Sequence, residues 1–177
     1  MADDAITTLR AILGDQFGRI RELVTDLTDG LTDQAGAYRP DPDANSVDWL
    51  VWHASRVQDD HLAGITGGEQ VWTANGWYEA FGLPFAPEVH GYGHSSADVG
   101  AVRVAADLLD GYHADVHAAT MDYVGSLTVE DLDRVVDRNW DPPVTAAVRL
   151  VSVIGDVSQH LGQAAYVRGL AQRAGIG

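Results

Sequence analysis

Apolar residues recur at spacings of three and four over four long stretches of this chain. In the first, from about Ala5 to Leu27, Ile6, Leu9, Leu13, Phe17, Ile20, Val24 and Leu27 trace one face of an α-helix. Gly30 and the turn-rich Arg39-Pro40-Asp41-Pro42-Asp43 end it. A second helix is predicted from Ser46, a good N-cap with Asp48 in the first turn, to about Ile65, before Gly67-Gly68. Residues 67–95 have little periodicity and many glycines, so they read as a long connection with one short helix at Trp77–Phe81. A connection of this length in a compact domain is usually functional, which makes it a candidate lid or pocket wall. A third helix is predicted from Ser95-Ser96 to Val124. A turn of helix at Val129–Leu132 and an extended piece at Arg134–Asn139 follow, and Pro142-Pro143 leads into a fourth helix, Thr145 to Arg173. Four amphipathic helices without a convincing strand pattern predict an all-α four-helix bundle, one domain over residues 1–177.

The same helical period locates the polar residues. On the fourth helix Leu150, Ile154, Val157, Leu161 and Ala165 define an apolar stripe, and His160 lies at its widened edge. Asp156 stands one turn earlier, about 40° away, and Gln163 lies on the same side. On the second helix His53 lies at the edge of the stripe formed by Val47, Leu50, Ala54, Val57 and Ile65, with Asp60 and Arg56 nearby. If the two rows meet, His53, Asp156 and His160 offer two nitrogens and one carboxylate. This set suits zinc or another first-row divalent ion and leaves a position open for water or substrate. Asp60 and Gln163 would then orient ligands or substrate. His61 falls within its stripe and reads as a core histidine. His113 and His117, also one turn apart, lie well off their stripe of Leu108, Tyr112, Val116, Ala119 and Tyr123 and are expected to face solvent. The five tryptophans read as core and interface residues, with Trp72 and Trp77 the best placed to line a pocket.

Charge and composition narrow the partners. The net charge is -15, and every basic residue is Arg. Such a surface repels phosphate backbones and anionic membranes, so neither nucleic acid nor membrane is an expected partner. No apolar run approaches the roughly 20 residues of a membrane span, and the acidic, amphipathic start does not read as a signal peptide, so a cytoplasmic location is expected. The absence of lysine suggests a GC-rich genome. With no Cys, any sulfur chemistry needs a thiol brought in as substrate.

His160-Leu161-Gly162-Gln163, with a potential ligand four residues earlier, resembles the last-helix signature of DinB-like proteins. Trp49-Leu50-Val51-Trp52-His53 resembles the second-helix motif that carries that family's first metal-binding histidine. The order of elements agrees along essentially the whole chain. Asp156 stands where the common pattern has a histidine; a branch that includes mycothiol-dependent maleylpyruvate isomerases carries a carboxylate there. The stretches WHASRVQDDH and DPPVTAAVRLVSVIGDVSQHLGQAAYVRG are most similar to an actinobacterial subgroup of mycothiol S-transferases. The resemblance implies a DinB-like bundle in which a divalent metal, zinc foremost, activates a low-molecular-weight thiol such as mycothiol toward a small electrophile in detoxification. It implies homodimers as a possible assembly. Within that picture Arg56 and Trp77 would contact substrate, and Tyr166 and Gln163 would bond its hydroxyls. The alternatives are a thiol-assisted isomerase or hydrolase of the same fold, a non-catalytic metal- or ligand-binding bundle, and a metal-free structural bundle.

Overall fold

The computed structural model describes residues 2–177, with side chains from residue 4 onward. Its frame is four long helices. Helix α1 spans Ala2–Thr28. After the short α2 (Asp33–Gly36), capped by Thr32, comes α3 (Val47–Thr66), whose N-cap Ser46 accepts a hydrogen bond from the Trp49 amide. Gly67, at φ +72°, closes α3 in the left-handed conformation that favours glycine.

The connection that follows is more ordered than its sequence suggests. It holds two short helices, α4 (Val71–Ala74) and α5 (Trp77–Phe81), where the sequence indicated only the second. No side chain of the preceding residue caps α4. Instead Asp59 of α3 accepts from the Val71 and Trp72 amides, both at 2.8 Å. The expected third helix is two helices: α6 (Ser96–Ala101) and α7 (Ala106–Ser126), separated by an extended break in which Val102 turns into the core. Helix α8 (Val129–Asp133) leads to β1 (Val135–Asp137), which pairs antiparallel with β2 (Val144–Thr145). This two-stranded ribbon accounts for the extended stretch predicted at Arg134–Asn139. Helix α9 (Ala146–Arg173), capped by Thr145, completes the chain.

Helix α3 lies between α7 and α9, and α1 packs against the opposite sides of the same two helices. Arg10 donates to the Leu127 carbonyl and Arg21 to Asp110, so α1 and α7 run antiparallel. The apolar stripes meet in one core, with Phe17, Ile20, Trp52, Tyr112, Val157 and Leu161 almost fully enclosed. Among the described residues no helix is long and apolar enough to cross a membrane.

Candidate metal centre

The seam between α3 and α9 brings His53, Asp156 and His160 together. One ligand atom from each lies within 4.8 Å of the others, and among the described residues no other group of three or more metal-ligating side chains does so. The His53 and His160 rings meet edge to face, with centroids 4.7 Å apart.

Both imidazoles are fixed by backbone carbonyls. His53 Nδ1 lies 2.5 Å from the His90 carbonyl oxygen, and His160 Nδ1 lies 2.9 Å from the Asp156 carbonyl oxygen. A carbonyl can only accept, so in each ring Nδ1 carries the proton and Nε2 is left with its lone pair. That is the arrangement a metal-binding histidine uses. Asp156 Oδ2 is buried without a hydrogen bond and stands 3.4 Å from His160 Nδ1, an ion-pair distance that does not displace the bond to the carbonyl. An orphaned buried carboxylate oxygen beside two free imidazole nitrogens fits a divalent cation by ligand type.

Electrostatics agree in part. Burial lowers the His53 pKa to about 4, keeping the ring neutral at physiological pH. The His160 imidazole beside it lowers the pKa of Asp156, so the carboxylate is ionised. The same contact raises the His160 pKa, so a proton competes with a cation for that ring.

The wall behind His53 comes from the long connection. Trp49 stacks on the His53 ring at 4.6 Å, and its Nε1 donates to His94 Nδ1 at 3.1 Å. The His94 ring stacks on Trp52. Gly91, at φ +100°, sits directly over this group; a Cβ there would lie 2.8 Å from His53 Nδ1 and 3.0 Å from the Trp52 ring. Residues 90–94 are therefore a fixed strap across His53. His90 and His94 fall within the stretch 67–95 that reads in sequence as a long connection, where no periodicity gives their direction.

Other expected site residues lie elsewhere. Arg56 is fully buried and cannot reach a substrate. Its guanidinium donates to Gln70 Oε1 at 2.7 Å, to the Pro87 carbonyl at 2.9 Å and to the Val89 carbonyl, lies 3.7 Å from Asp59, and covers the Trp72 ring. The strap folding over α3 encloses it, which a helical wheel of α3 alone does not register. Trp77 packs on Phe81 and Tyr112 and donates to Asp115, because α5 sits against α7 rather than along the α3–α9 seam. Asp60 accepts from Gln70 at 2.8 Å and faces an open cleft beyond the triad. Gln163 and Tyr166 are exposed farther along α9.

Two histidine expectations reverse. His61 is half-buried beside Asp60 rather than in the core, since α3 and α9 diverge there. His113 is fully enclosed rather than solvent-facing, because α7 packs against both α1 and α3 and its buried arc is wider than a single stripe.

Residues 8–172 match the family model described as mycothiol-S-transferase. The chain belongs to the mycothiol S-transferase family. This is a DinB-like family, in agreement with the bundle described above. A crystal structure described as the conserved protein of locus from Enterococcus faecalis superimposes on this member with a TM-score of 0.83, at 33% identity, over 89% of this chain and 94% of the other. No curated protein matches the chain.

Proposed function

We propose that this protein is a metal-dependent thiol S-transferase that joins a low-molecular-weight thiol, mycothiol foremost, to small electrophiles at the His53–Asp156–His160 site. The observation that carries this reading is the convergence of two Nε2-free imidazoles and one unpaired carboxylate oxygen on one point. His53, Asp156 and His160 would hold a divalent ion, zinc being suited to this ligand set, and such an ion would lower the pKa of a thiol brought beside it.

The protein's own residues do the rest. The His90 carbonyl and the Trp49 ring hold His53 in one orientation, and the first turn before His160 holds Asp156 beside it. Trp49 and Trp52 form an aromatic wall that keeps water from one side of the reacting sulfur. The thiol gives up its proton to solvent, and the thiolate attacks the electrophilic carbon. A carbon–sulfur bond forms as the bond to the leaving group, or an activated π bond, breaks.

The test combines metal analysis of the purified protein with an assay of mycothiol conjugation to a chromogenic aryl electrophile. His53→Ala and His160→Ala are expected to lose bound metal and at least 100-fold in conjugation rate together. Unchanged metal content in both variants would exclude the site.

A further inference from the structure

A separate recess lies where α2, the start of α3 and the break between α6 and α7 meet. It consists of two adjoining hollows of about 320 and 420 Å³ that share Asp33, Ala37 and Arg103. Each volume is typical of a small-ligand site. Asp48 and Val104 line the more enclosed hollow, and Ile176, just past the end of α9, lines the other. Asp48 stands five residues before His53 on α3, about 140° round the helix axis. The recess and the triad therefore leave α3 in different directions.

Three charged side chains line this recess, Asp33, Asp48 and Arg103, and among the described residues no two of them form an ion pair. Asp48 is only 2% exposed, yet its Oδ1 has no hydrogen-bond partner. Gly36 of α2 makes room for that oxygen, which a Cβ there would strike. Asp33 and Arg103 are exposed on the rim. Among the described residues Arg103 donates only from Nε, to the Gly100 carbonyl at 3.3 Å, which leaves its two terminal nitrogens free. The charges feel one another: burial raises the Asp48 pKa and the Val104 amide lowers it, while Asp33 raises it and Arg103 lowers it. A buried carboxyl oxygen without a partner costs stability, and one that lines a recess points to a ligand that completes it.

Two carboxylates and one guanidinium are complemented by a guest with two cationic groups and one carboxylate. We propose that this recess binds a diamino acid, with one ammonium group on the buried Asp48, the other on Asp33 and the carboxylate on the Arg103 fork. Such a guest carries one net positive charge and the three side chains carry one net negative charge, so no charge is enclosed without its counterpart. A simple carboxylic acid would leave both aspartates unmet, and a simple amine would set a cation beside Arg103 with nothing for its guanidinium to hold. The net charge of -15 favours the approach of a cationic guest.

The probe is L-lysine, titrated calorimetrically into the full chain at pH 8, where the Asp48 carboxyl is ionised. Wild type is expected to bind it. Norleucine lacks the side-chain ammonium, cadaverine lacks the carboxylate, and L-glutamate reverses the side-chain charge; each is expected to bind at least tenfold more weakly. Asp48→Asn keeps the shape of the side chain and relieves the enclosed charge, so this variant folds, and it is expected to weaken L-lysine binding at least tenfold. Arg103→Gln, on the exposed rim, is expected to weaken L-lysine binding severalfold without weakening that of cadaverine. No binding to wild type, full affinity in Asp48→Asn, or equal affinity for norleucine or cadaverine would overturn the proposal. None of these measurements passes through the triad, so their outcome is separate from that of the transferase reading.

Discussion

Gly91 has no room for a side chain, and this single absence ties the connection to the chemistry. Its backbone lies against His53, Trp52 and Trp49, and the neighbouring His90 carbonyl accepts a hydrogen bond from His53 Nδ1–H. Alanine would place a methyl group 2.8 Å from that nitrogen and would strain a backbone at φ +100°. Gly91→Ala is expected to lift the strap, free the His53 tautomer and lower zinc affinity 10- to 100-fold, the usual effect of losing such a support. Competition with a chromophoric chelator reads the affinity, and nitrogen-15 NMR of the metal-free protein reads the tautomer. An unaltered tautomer would show that the strap does not set it. The Asp156–His160 spacing on α9 was legible because i and i+4 side chains share a helix face. The carbonyl that completes His53 was not, because it arrives from 37 residues away.

At the scale of elements, the connection between α3 and α6 behaves as a clamp rather than a lid. Arg56 takes up the Pro87 and Val89 carbonyls from below, Asp59 caps α4, and Tyr112 of α7 donates to Asp59 at 2.8 Å. A buried arginine and aspartate thus satisfy backbone groups that a loop would otherwise leave to water. Breaking such a pair by removing one partner leaves the other charge uncompensated. Arg56→Met is expected to cost about 3–5 kcal/mol in urea unfolding and to speed proteolysis between residues 83 and 94. Wild-type protease resistance in this variant would mean that the tryptophans alone hold the strap. The break between α6 and α7 belongs to the same scale. Periodicity carried the pattern through residues 96–124, yet Val102 can enter the core only if the helix stops.

Across the whole molecule, stability depends on a carboxyl group at the junction of α2 and α3, outside the candidate triad. Asp48 is almost completely buried at the start of α3. Its Oδ1 has no hydrogen-bond partner, and a Cβ on Gly36 of α2 would collide with it. Burial raises its pKa from the ordinary 3.8 to about 7, partly offset by the Val104 amide. A carboxyl whose folded pKa is raised helps the folded state while protonated. That contribution is intact below about pH 4 and disappears as pH climbs through 7. Asp48→Asn is therefore expected to gain stability over wild type progressively between pH 4 and 7, and to stay ahead by at least about 1 kcal/mol at pH 8. Urea unfolding at several pH values measures it; a difference that does not change with pH would refute the assignment.

Local order determined much of this protein. The helical period of the apolar residues, Ser46 as a cap and Gly67 as a stop define the long helices, because each signal acts within a turn or two of chain. The alignment of Asp156 with His160 follows for the same reason. What only the tertiary structure decided depends on contacts between distant segments: the burial of Arg56 and His113, the displacement of Trp77 to α7, and the opening of the seam around Asp60 and His61. A helical wheel shows which way a side chain points but not what stands opposite. The strap over His53 and the cleft beyond it exist only because residues dozens of positions apart pack against one helix, and no spacing along the chain encodes that meeting.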